Sequence, residues 1–162
     1  MSLPKFESLR VESLMELFAK SAKAIPADHF EWRPQQGGKS ASEILEHVIG
    51  ANHMFATLIR GEKMPESGTQ DFSIRSSQLK KGFEKMQQSA LVLSEAIAAV
   101  DDSQLLTERK MPWGEVWKLS KLISTPSSHI SHIIGGRSAI CKHYGAIRKT
   151  TISRSLLIKD IS

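Results

Sequence analysis

Apolar residues recur every three or four positions through four stretches of this chain, a spacing that predicts helices rather than strands. Between residues 6 and 24 the apolar side is Val11, Leu14, Leu17, Phe18 and Ala22, with Glu, Lys and Ser filling most positions between. Ile25-Pro26 ends this segment, because the residue before a proline is driven out of the helical region. Asp28 is placed to cap a short turn through Trp32, and residues 33–38 read as a loop. The second helix opens at Ser40, whose distance in sequence to Glu43 is that of a capping box. It runs to Leu58 or Ile59 with Ile44, Leu45, Val48, Ala51, Phe55 and Leu58 inward, and Gly61 is its expected stop. The third helix, the longest, spans Ser73 or Ser76 to Val100, with Leu79, Phe83, Met86, Ala90, Leu93 and Ile97 on one side.

After Asp101-Asp102-Ser103, residues 104–114 read as a turn or extended crossing around Met111-Pro112-Trp113-Gly114. A fourth helical region starts near Glu115 and includes Val116, Trp117, Leu119, Leu122 and Ile123. Pro126 either kinks it or serves as the first-turn proline of a new helix, which then continues to His143 before Tyr144-Gly145. Four helical segments without alternating strands predict an all-α fold, an antiparallel four-helix bundle.

Composition narrows the class without changing that picture. A chain of 162 residues is enough for one cored domain, assigned here to residues 1–145, with a basic tail over 146–162 whose structure the sequence leaves open. The single cysteine, Cys141, excludes an internal disulfide and reads as apolar filler, and no charged N-terminus with an apolar stretch behind it suggests export. No run approaches the roughly 18 apolar residues of a membrane span. A cytoplasmic protein that uses no membrane is therefore expected. The net charge of +5 owes most of its excess to Arg148, Lys149, Arg154 and Lys159 in the tail. A basic tail without a stacking or groove-reading element argues against a nucleic-acid partner.

The candidate chemistry lies in histidines. His129 and His132 are three apart, which puts both on one helix face, and a catalytic metal site of three protein ligands needs one more donor. His47, within the apolar pattern of the second helix, is the candidate. Glu43, one turn earlier, is either the cap or a carboxylate that ligates or orients His47. His29, His53 and His143 read as surface residues, and Trp32, Trp113 and Trp117 as core or rim aromatics, two of which would suit the wall of a ligand cleft.

The run Phe30-Glu31-Trp32-Arg33-Pro34, then Lys39 to Val48 with Ile44-Leu45-Glu46-His47, then Ala51-Asn52, resembles the second-helix signature of the DinB/YfiT-like bundles. The resemblance covers residues 6–145. It implies a bundle with a metal site of three histidines, one from the second helix and two from the last, and activities of the thiol S-transferase, thiol-dependent isomerase or hydrolase type. His47 matches the second-helix ligand and His129 the first ligand of the last helix. With Gly135 fixing the register, the family's final ligand falls at Ile133 and its Gln at Gly136, while His132 comes one residue early. Positions 132 and 133 differ by about 100° around a helix, so His132 would approach from the other flank.

Two functions follow as expectations. One is a metal-dependent enzyme holding Zn²⁺ or Ni²⁺ at His47 and His129, with His132 or water completing the shell, and directing a low-molecular-weight thiol or water onto a small electrophilic substrate. The other is a bundle with a degenerate site that serves as a binding or structural protein. Pairing of two copies into a homodimer through an exposed helix face is compatible with either.

Overall fold

Ser2 accepts from the Lys5 amide and Pro4 sits in the first turn, so helix α1, Leu3–Lys23, begins with its orphan donors reduced. The computed structural model describes residues 1–33, 38–65 and 72–134. Helix α2, Ala41–Arg60, carries the full capping box: the Glu43 amide donates to Ser40 Oγ at 3.2 Å and the Ser40 amide to Glu43 Oε2 at 2.8 Å. Gly61 ends it at φ 72°, in the left-handed region where a side chain is strained. Helix α3, Leu79–Ala98, follows a single 3-10 turn, and a further helix, α4, covers residues 119–134.

Between α3 and α4 stands a hairpin that the hydrophobic count does not predict. Strands β1, Glu108–Lys110, and β2, Val116–Lys118, pair antiparallel, with Arg109 opposite Trp117. Val116 and Trp117 are therefore strand, not the opening of the fourth helix, which begins at Leu119. The reason is local. Gly114 at φ 96° lets the chain reverse, its amide donates to the Met111 carbonyl at 2.9 Å, and the β-branched and aromatic pair suits a pleated surface. The ladder continues as far as Ser120, whose amide donates to the Leu105 carbonyl at 2.9 Å. Among the described residues the fold is thus four helices and one small hairpin. Helix α4 runs through buried Pro126, which neither stops nor opens it.

The chain divides into two compact units, Met1–Ile130 and Ser131–Ser162. The core of the first holds Val11 and Phe18 from α1, Leu45 and Ile49 from α2, Leu93 and Ile97 from α3 and Leu122 and Ile123 from α4, all essentially inaccessible. Helices α1 and α2 both pack on α3. Buried polar groups tie the layers: Asn52 Nδ2 donates to Ser89 Oγ at 3.1 Å, and Ser127 Oγ donates to Glu7 Oε2 at 2.9 Å. Leu17 departs from the expected inward set and is 49% exposed on α1 with Phe6 and Leu9. Gly135, Gly136, Cys141, His143 and the tail 146–162 lie outside the described residues.

Candidate functional site

Side chains four and three apart on α2, namely Glu43, Glu46, His47, Gly50, Ala51 and Met54, share one side of the helix and line a pocket of about 780 Å³. Lys39, Phe55, Phe72, Ser73 and His129 complete it. A cavity of that size suits a small molecule. At its edge the two predicted histidines meet: His47 Nε2 and His129 Nε2 are 3.1 Å apart, with the ring planes at 61°. Phe55 lies edge-on to His129, centroids 6.0 Å apart, and holds that ring from the core side.

At 3.1 Å one imidazole donates to the lone pair of the other, so the two rings share one proton. Partial burial, and then the Lys39 ammonium, hold the His47 pKa below the ordinary histidine value of 6.5. Both effects favour neutral imidazole, the form that ligates a metal.

The carboxylates beside the pair are committed elsewhere. Glu43 caps α2 through Oε2 and takes Arg33 at 2.6 Å through Oε1. The Ser40 amide is the first cause of its lowered pKa, with Arg33 and Lys39 adding to it. Of the two roles open to Glu43, capping is the one the geometry carries. Glu46 Oε1 accepts from the Ile74 amide at 2.7 Å and so holds the segment 72–75 against α2.

His132 is solvent-exposed and belongs to the second unit, and Ile133 is half-buried. Among the described residues no group of three or more His, Cys, Asp and Glu stands together as a metal site. The donors the structure brings together are therefore two imidazoles. Their separation is near that of two ligands of one ion, because two nitrogens each about 2.0–2.1 Å from a tetrahedral metal lie about 3.3 Å from one another.

Some lining residues escaped the sequence reading. Phe72 stacks on His53, centroids 5.6 Å apart and planes at 10°, so His53 is half-buried rather than a plain surface residue. The missed signal was Gly50, a glycine inside a helix, which costs about 1 kcal/mol against alanine and so asks for a reason. None of the three tryptophans lines the pocket. Trp113 and Trp117 pack edge to face on the hairpin, 5.4 Å between centroids, with the Lys121 ammonium 3.8 Å over Trp117.

A helical frame with a histidine pair at the edge of a small-molecule pocket defines a class, and comparison with known proteins supplies the family. The DinB superfamily profile matches residues 11–134, and the chain belongs to that superfamily. A DinB-like protein from Bacillus subtilis, YjoA, superposes with a TM-score of 0.68 at 18% identity, over 86% of this chain and 91% of that one. A protein from Streptococcus pneumoniae gives 0.55 at 12% identity, over 86% and 92%. At these identities the likeness speaks to fold alone. No curated protein matches the sequence.

Proposed function

We propose that the chain is an antiparallel four-helix bundle and a metal-dependent cytoplasmic enzyme, of the thiol S-transferase or hydrolase type, acting on a small electrophile in the α2 pocket. The observation that carries this reading is the convergence of His47 Nε2 and His129 Nε2 to 3.1 Å beside a cavity of about 780 Å³. His47 and His129 would hold a Zn²⁺ or Ni²⁺ ion, imidazole being a donor common to both. When bound, the metal lowers the pKa of a thiol or water and so supplies a nucleophile at neutral pH. The chain's own residues do the rest. Phe55 orients the His129 ring, partial burial and Lys39 lower the His47 pKa and so favour its neutral form, and Met54, Phe55 and Phe72 offer the substrate apolar walls. Pairing of two copies is also proposed, through the α1 face that exposes Phe6, Leu9 and Leu17, and sedimentation at rising concentration reads it.

Metal content of protein purified without an affinity tag tests the site. About one equivalent after metal addition supports it, and less than about a tenth of an equivalent overturns it. His47→Ala and His129→Ala should each weaken binding by more than the roughly 10–100-fold that losing a ligand's hydrogen-bond partner costs. His132→Ala beside them shows whether a third imidazole ligates. A second reading, a bundle with a degenerate site that binds without catalysis, is favoured by Ile133, which stands where the family pattern has a histidine.

A further inference from the structure

The pocket beside the histidine pair has a shape and a charge balance of its own. Its apolar walls are Ala51, Met54, Phe55 and Phe72. Phe72 lies over Gly50, where an added Cβ would stand 3.4 Å from Cδ2 of the ring. The parallel His53 ring stacks on it, 5.6 Å between centroids. Glycine at position 50 lets the ring settle against the α2 backbone, which leaves the cavity open between Phe72 and the other walls. The segment is anchored, because the Ile74 amide donates to Glu46 and the Ile74 carbonyl accepts from Ser42 Oγ.

The carboxylates at the pocket are already taken up. Glu43 is paired with Arg33, and Glu46 accepts from the Ile74 amide. Away from the histidines the walls therefore offer a ligand mainly apolar contact. Aromatic faces, a thioether and a fixed phenyl wall favour a planar ring, which gains stacking and sulfur contact that a puckered aliphatic of the same volume does not.

We propose that the substrate of this pocket carries a planar, uncharged aromatic body seated against the Phe72 ring, which itself rests on Gly50, with its reacting end toward His47 and His129. Gly50 and Phe72 are then specificity-determining residues. The proposal rests on the enzymatic reading for what is done to the ligand, but the seating of the ring needs no metal.

The test uses the full-length, metal-free protein and two probes, 1-naphthol and its saturated counterpart decahydro-1-naphthol, followed by amide chemical shifts. 1-Naphthol is expected to shift the Gly50 and Ser73 amides and to bind about tenfold more tightly than the saturated alcohol. Gly50→Leu, whose side chain would push Phe72 from its seat on α2, should abolish those shifts. Phe72→Ala should weaken 1-naphthol about tenfold and serves if the leucine variant does not fold. Equal binding of the two alcohols, shifts elsewhere than at Gly50 and Ser73, or unchanged affinity in Phe72→Ala overturns the proposal. Aromatic binding by a protein that takes up no metal overturns the enzymatic reading alone, and metal uptake without aromatic binding overturns this one alone.

Discussion

Gly82→Ala sets two effects of known size against each other. Position 82 lies in the first turn of α3 and is buried, so alanine there gains about 1 kcal/mol of helix propensity. Its Cβ, however, would stand 2.7 Å from Ile74 Cγ2 and 3.1 Å from Cδ1, well inside carbon–carbon contact. Ile74 is 5% exposed and has little freedom to retreat, since its amide donates to Glu46 Oε1 at 2.7 Å and its carbonyl accepts from Ser42 Oγ. Overpacking of a core site costs about 1–3 kcal/mol. The clash outweighs the propensity, and the variant should lose about 1 kcal/mol, which lowers the Tm of a domain this size by about 2–4 °C.

Thermal and urea unfolding read the loss, and a double-mutant cycle reads its cause. Ile74→Val removes Cδ1 but keeps Cγ2, the closer contact, and should give only partial relief. Ile74→Ala removes the clash at its own cost of about 2–5 kcal/mol. In the double variant the methyl group added at position 82 fills part of the hole, so the two changes should cost less together than their sum by about 1 kcal/mol. A Gly82→Ala protein as stable as the parent, or strictly additive changes, would refute the claim that Ile74 is held in place.

Two other predictions rest on single groups. Ser127 is fully buried and donates to Glu7 Oε2, while Arg10 reaches Glu7 Oε1 only at 3.6 Å. Ser127→Ala should therefore cost about 1.5–3 kcal/mol in urea unfolding, the range for a bond to a charged acceptor, and a loss under about 0.5 kcal/mol would mean that the carboxylate relaxes onto another donor. On acidification, His47 and His53 act in one direction. Burial comes first for both, followed by Lys39 for His47 and Arg60 for His53, and each pKa is held below the ordinary 6.5. The unfolded chain then binds more protons, so the stability these residues contribute is present above pH 6.5 and is lost as the pH falls through their folded values. Stability measured across that range should decline toward acid, and His53→Gln should flatten the decline; an unchanged slope would remove His53 from the account.

The pattern of apolar positions revealed the helices because each buries one side against neighbours, and burial at a 3.6-residue period is written in the residues themselves. The ends of α2 were equally legible, since Ser40, Glu43 and Gly61 act within a turn of where they stand. The hairpin was not. Val116, Trp117 and Leu119 fit an apolar count for a helix, and what decides against it is the reversal at Gly114 and the pairing of Arg109 with Trp117, contacts that do not appear in a local period. The site divides the same way. His47 and His129 were found because each sits on a helix face that a family pattern also marks, and the structure brings their Nε2 atoms to 3.1 Å. Phe72 stands outside any periodic element, so only the tertiary structure puts it over Gly50 and against His53. Yet Gly50 itself was visible throughout. A helix that tolerates a glycine midway along its length, one turn after a candidate ligand, gives up propensity for close approach, and the group that approaches is the phenyl ring that shapes the pocket.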